Sequence, residues 1–251
     1  MFVGVYSTMV CIKECGMGFC AADACGVKHI QYRNGQIHIL TTRDGNNKLC
    51  PLAWSISNQE SGTSYTYFAR NCSEFGLGDY LNQPHHVIFS DRDKGVPALH
   101  AEFEVCYSAR CFRHIIANAR RWVNQQKSGE KFTDEQAWTL QRAKTYEQFQ
   151  LRLNVLAQDS PLAAIYFNTK VHHPDAYQYA FYDADVATHG HATSNAVEIL
   201  NGAFVEARHH LPYWFNDKIL IWMGDKHSER EKTMKAEISQ QRLLTPYVRK
   251  L

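Results

Sequence analysis

His86–Trp122, HVIFSDRDKGVPALHAEFEVCYSARCFRHIIANARRW, sets the order of elements on which the rest of the chain is built. Val87-Ile88-Phe89 is a short apolar run of the length of a buried strand, and it ends in Ser90-Asp91. Lys94–Phe103 then places Val96, Leu99 and Phe103 at helical spacing, and Val105–Ser108 forms a second short strand. A second helix follows, with Ile115, Ile116, Ala119, Trp122 and Val123 on one face and Arg113, Arg120 and Arg121 on another. Strand–helix–strand–helix order indicates α/β architecture. In such sheets ligands sit beyond the carboxyl ends of the strands, where Asp91 stands.

Upstream, Met17–Ala22 reads as a strand leading into Asp23, and Gln36–Thr42 alternates as a strand should. Asp44-Gly45-Asn46-Asn47 is a hairpin turn of residues that tolerate positive φ, and Leu49–Ile56 returns from it. Ser61–Phe75 is an amphipathic helix with Tyr65, Phe68 and Cys72 on one side. The expected order is β-β-β-α-β-α-β-α. Residues 124–184 offer no strand. Thr133 with Gln136 marks one helix start there, and Ser160-Pro161 marks another. Asn195–Arg208 is a later helix, buried along Val197, Leu200, Phe204 and Ala207.

Motifs in this frame resemble the catalytic domain of Mutator-like element (MULE) transposases, of the ribonuclease H-like DDE superfamily. Ser90-Asp91-Arg92-Asp93-Lys94-Gly95 is similar to that family's S-D-x-x-K-G segment, and Cys111-Phe112-Arg113-His114 to its C-x-x-H. Asp23-Ala24-Cys25 resembles the first-acid segment, with Cys where Thr is usual. Asp44–Asn47 followed by Pro51-Leu52-Ala53 resembles the family's hairpin, and Thr193–Asn201 its third-acid segment. The resemblance covers about residues 18–215. It implies a mixed five-stranded sheet flanked by helices, with an all-helical insertion before the last catalytic helix. The implied division is a first core part over 1–123, the insertion over 124–184, the last core part over 185–225 and a mixed-charge, helical tail over 226–251.

The function implied is metal-dependent DNA cleavage and strand transfer, in an active, truncated or inactive copy. Asp23, Asp91 and Glu198 would hold two Mg²⁺ or Mn²⁺ ions, since hard cations take carboxylate oxygens. The partners implied are DNA element ends and target, with a homo-oligomer as the active state and the nucleus as location. Two alternatives stand beside it: a non-catalytic DNA-associated transcriptional regulator and a ribonuclease H-type nuclease.

Each residue also has a plainer reading. Asp91 can cap the helix after it, and Asn195-x-x-Glu198 has the form of a capping box. Cys111 and His114, one helical turn apart, suit either zinc or a buried thiol beside a hydrogen-bonded imidazole. Arg110, Arg113, Arg120 and Arg121 form the best basic cluster for a DNA backbone, or else a solvated face. His189 and His191, just before Glu198, can meet substrate phosphate or remain loop histidines.

Composition narrows the classes. The 251 residues are 45% hydrophobic and 12% aromatic, enough for a substantial core. With 27 basic and 25 acidic side chains, net charge is +2, so DNA binding must come from local patches. No apolar stretch approaches the roughly 18 residues of a membrane span. The first residues lack the pattern of a signal peptide, which leads us to expect an intracellular protein. Eight cysteines lie at 11, 15, 20, 25, 50, 72, 106 and 111, read as reduced thiols. The spacing of the first four lacks the paired C-x-x-C of common zinc modules.

Overall fold

The computed structural model describes residues 1–5, 18–91, 96–242 and 244–250. Its centre is a six-stranded mixed sheet in the order β1-β4-β3-β2-β5-β6. The strands are β1 Phe2–Gly4, β2 Phe19–Gly26, β3 Gln36–Arg43, β4 Leu49–Ser57, β5 Val87–Ser90 and β6 Tyr107–Arg110. β3 is antiparallel to β2 and β4, β1 is antiparallel to β4, and β2, β5 and β6 are mutually parallel.

Five of these strands were expected from sequence, although β6 lies two residues later than the expected Val105–Ser108 and Met17, the expected start of β2, lies outside the described residues; β1 is a sixth, pairing Val3 with Trp54 at the sheet edge. β2 also runs further than expected. It passes through Asp23, which pairs with Ile39, and ends at Gly26. The hairpin turn forms as its residues require. The Asp44 carboxylate accepts the amides of Asn46 at 2.9 Å and Lys48 at 2.8 Å, and Asn47 takes φ 58°. Across β3 and β4 the register shifts at Leu40/Thr41, where Thr41 faces Pro51, a residue with no amide to donate.

Side-chain alternation divides the sheet into two faces. Cys20, Ala22 and Ile88 point to one face. They are covered by Tyr65 and Phe68 of α1 (Gly62–Cys72), Leu81 of α2 (Gly78–Leu81) and Leu99 of α3 (Val96–Glu102). Phe19, Ala21, Val87 and Phe89 point to the other. Against them pack Val197 and Leu200 of α9 (Asn195–Ala203) and Phe215 and Ile219 of α10 (Pro212–Ser239). The helix expected over residues 195–208 thus ends at Ala203, although Phe204 and Ala207 remain buried. α10 starts well before the expected tail. Trp54 Nε1 donates to Asn216 Oδ1 at 2.8 Å and ties it to the sheet.

A third core is wholly helical. It joins α4 (Phe112–Gln125), α5 (Asp134–Gln141), α6 (Tyr146–Asp159), α7 (Pro161–Thr169) and α8 (Gln178–Asp183). Thr133 and Gln136 make the expected capping box, and Pro161 occupies the first turn after Ser160. The apolar stripe of α4, Ile115, Ile116, Ala119 and Val123, faces this helical core rather than the sheet. No helix among the described residues is long and apolar enough to cross a membrane.

Phe112 joins the two regions. It follows β6 directly and meets the rings of Trp138 at 5.1 Å, Tyr177 at 5.9 Å and Phe167 at 6.2 Å. Phe112→Ala should therefore cost about 3–5 kcal/mol of stability, the range for deleting a large core aromatic. Urea denaturation measures it. A loss below about 1 kcal/mol, the level of an ordinary substitution, would show that the helical region is held independently of this ring.

Candidate active site

The parallel pairing of β2 with β5 carries one offset throughout: Phe19 faces Val87, Cys20 faces Ile88 and Ala21 faces Phe89. Asp23 and Asp91 keep the same separation, so Asp91, one residue beyond β5, stands level with Asp23 on the next strand. β5 and β6 continue the row. Ser90 faces Arg110, and the Cys111 amide donates to Ser90 O at 2.7 Å, which sets Cys111 level with Asp91. Asp23, Asp91 and Cys111 thus form a line across three parallel strands, at the carboxyl end where open α/β sheets bind ligands.

Electrostatics reports the same proximity. Burial first, and then the Asp91 charge, raise the Asp23 carboxyl from an ordinary 3.8 to about 7. The Ala24 amide, donating to Asp23 Oδ1 at 2.8 Å, and the His114 charge oppose that rise. Glu60 adds a further repulsion. It lies on the loop between β4 and α1, carries no motif, and was not among the residues selected from sequence.

Cys111 is the N-cap residue of α4 and His114 lies in its first turn, where the helix dipole favours a thiolate. Burial alone would raise the Cys111 thiol; its contacts with His114 and Ser194 outweigh that and bring it below its ordinary value. His114 is raised to about 9, chiefly by Cys111 against an opposing effect of burial, with the Asp91 and Asp23 charges adding to the rise. His114 Nδ1 is nevertheless buried with no hydrogen-bond partner of good geometry.

α9 brings Glu198 to the same edge by burying Ala196, Val197 and Leu200 against the sheet. The Phe112 amide donates to Ala192 O at 2.9 Å and fixes the preceding loop. Glu198 lies 4.0 Å from Cys111 Sγ and 3.1 Å from Arg113 Nη1. One ligand atom each from Cys111, His114 and Glu198 fall within 4.8 Å of one another. Among the described residues this is the group close enough to hold one ion; the three carboxylates alone do not form such a group. His114, a member of that group, feels the charges of both Asp91 and Asp23.

One plainer reading loses ground. The N-cap of α9 is Ser194, it makes no side-chain cap bond, and Glu198 turns to Arg113 instead of back to the helix start. Arg92–Gly95, the rest of the Asp91 motif and the stretch on which its cap reading turns, lie outside the described residues.

Each of the four arginines has a partner within the protein. Arg110 pairs with Asp175 at 3.1 Å, Arg113 with Glu198, and Arg120 with Asp134; Arg121 donates to Asn118 at 3.3 Å. His191 stacks on Phe19 at 4.2 Å and is lowered by burial to about 4, while His189 has φ 49°. Of the amino-terminal cysteines, Cys11 and Cys15 lie outside the described residues. Cys20 and Cys25 belong to opposite faces of β2. Compared by sequence with known proteins, the chain matches no protein-family model and no curated protein.

Asp23 makes stability depend on pH in a defined direction. Its folded pKa lies above its unfolded one, so the folded state binds more protons between about 4 and 7, and stability falls as pH rises through that window. Asp23→Asn removes the effect. Without divalent cations, urea midpoints of the two proteins should be closest near pH 4. By pH 8 the Asn variant should lead by on the order of 2–3 kcal/mol, allowing for partial solvent screening. Parallel pH profiles would show that Asp23 is not held protonated.

Proposed function

We propose that this chain is a metal-dependent DNA strand-cleaving and strand-joining domain of the MULE transposase type, built on a ribonuclease H-like core. The observation that carries the reading is the pair Asp23 and Asp91, level with each other at the carboxyl ends of adjacent parallel strands. The strand order supports it. Counted from Phe19–Gly26, the sheet runs third, second, first, fourth, fifth, with the second strand antiparallel, and a helical region interrupts the core before the third acid.

The donor set fits a hard divalent cation. Two carboxylates share a partly buried edge, and Asp23 is pushed up to about 7 by burial and by Asp91, a load that a cation between them relieves. Asp23 and Asp91 would hold Mg²⁺ or Mn²⁺, with Glu198 as third acid. The metal would supply positive charge against the attacking and leaving oxygens of a phosphodiester. The attacking oxygen belongs to water in cleavage and to a DNA 3′-hydroxyl in joining, so no protein nucleophile is needed. Arg113, beside Glu198, is placed to meet a phosphate oxygen, and the amino end of α4 favours an anion.

One observation favours a second reading of part of the site. Thiol, imidazole and carboxylate within 4.8 Å of one another would suit zinc. The two readings compete for Glu198, and they part experimentally. Calorimetric titration should give Mn²⁺ binding that Asp91→Asn weakens at least about tenfold, as removal of one anionic ligand implies. Cys111→Ser should leave that binding intact and lower only affinity for Zn²⁺. Equal Mn²⁺ affinity in wild type and Asp91→Asn would remove the carboxylate reading.

Glu198→Gln tests the third acid. The Arg113 pair is largely exposed, so stability should change by no more than about 0.5 kcal/mol. Mn²⁺-dependent nicking of DNA by the purified domain should collapse. Nicking equal to wild type would take Glu198 out of the catalytic set. A protein that binds DNA and cuts none would be the regulator anticipated from sequence.

A further inference from the structure

α10 runs for 28 residues from Pro212 to Ser239, about 42 Å at 1.5 Å per residue. It meets the rest of the molecule along one side. Phe215 and Ile219 are buried there, Trp222 and Met223 are partly covered, and further on Arg230 pairs with Asp44 at 3.2 Å. The opposite side carries Tyr213, Trp214, Leu220 and Ile221 in its first half and Met234 and Ile238 in its second, each more than half exposed. At 3.6 residues per turn these six fall on one half of the helix surface, with Asp217, Gly224, Ser228, Glu231 and Lys235 along its middle. A run of exposed apolar side chains rimmed by polar ones marks an interaction surface. We infer that α10 of a second copy of this chain covers it, laid antiparallel to form a two-fold dimer. The inference is independent of the DNA reading above.

Charge selects that occupant and its direction. The middle of the face is acidic at Asp217 and basic at Lys235, both exposed. A parallel copy would set Asp217 against Asp217 and Lys235 against Lys235. An antiparallel copy, with its two-fold axis midway between Gly224 and Ser228, sets Asp217 level with Lys235 of the second copy, and symmetry repeats the pair. In the same register Tyr213 lies beside Ile238 of the second copy. Leu220 and Ile221 meet its Met234 and the aliphatic stem of its Lys232. The centre suits close approach, because Gly224 stands level with Ser228 of the second copy and both are small. A Cβ added to Gly224 would meet no atom of its own chain within 4 Å, so the space over it is open. Lys235 lies 2.6 Å from Glu231 of its own helix, and the dimer would give its ammonium a second carboxylate. The two halves of the face thus complement each other, a match that an unrelated occupant would not require.

Sedimentation equilibrium of the full chain in EDTA, over a wide range of concentration, tests this without any metal bridge. Wild type should show a monomer–dimer equilibrium. Gly224→Leu fills open space and favours the helix, so its urea midpoint should not fall, while its bulk at the crossing should weaken dimerisation at least about tenfold. Asp217→Lys sets like charges level and should weaken self-association by about tenfold or more, as should Lys235→Asp. Mixed in equal amounts, these two variants should pair with each other about as tightly as wild type pairs with itself, since each supplies the charge the other lacks. A wild type that stays monomeric at every concentration, or a dimer indifferent to Gly224→Leu, would overturn the inference. Charge variants that self-associate like wild type, or that fail to restore each other, would overturn the antiparallel pairing. Each of these outcomes leaves the DNA reading untouched.

Discussion

The arrangement depends on the parallel pairing of β2 with β5. Pairing in any other register would still bury Phe19, Ala21, Val87 and Phe89 if it slipped by two residues. It would not leave Asp23 and Asp91 level. Keeping them level carries a cost: two carboxylates side by side at a half-buried edge repel, and one of them retains its proton to about pH 7. A sheet selected for stability alone would place a neutral or apolar residue at one of these positions. Such a conflict between local electrostatics and fold stability is what functional sites show.

The next step of the row depends on Phe112. Cys111 and His114 reach the acid edge because α4 starts immediately after β6, and α4 is held there by a ring buried in the helical core. The helical region is therefore more than an inserted bulk. Its packing sets the angle of the helix whose first turn carries Cys111, Arg113 and His114.

Much of this was legible in the sequence because its signals are local. The turn at Asp44–Asn47, the alternation of β3, the cap at Thr133 and the apolar run Val87–Phe89 each declare themselves within a few residues. β1 was missed because three residues at a sheet edge have no period to read, and β2 overran its expected end because Asp23 is polar inside a strand. At the site, the three acids were selected by motif. What motif could not supply was the side-chain geometry around Glu198. Its partners Arg113 and Cys111 lie 85 and 87 residues away in sequence and meet it only when α9 crosses the sheet. Glu60 belongs to the same class, since it has no neighbour in sequence that marks it.

His114 is the balance point of the site. It feels the half-buried acid pair as well as the thiol, and it groups with Cys111 and Glu198 within 4.8 Å; its raised pKa follows from all of these neighbours except Glu198. As a cation it offsets part of the repulsion between Asp23 and Asp91 and holds Cys111 toward its thiolate form. Loss of either acid would weaken the hold on the imidazolium proton, and a neutral His114 would lose its attraction for the thiolate. The acid pair and the Cys111–His114 pair at this edge thus form one electrostatic unit, although they come from different elements.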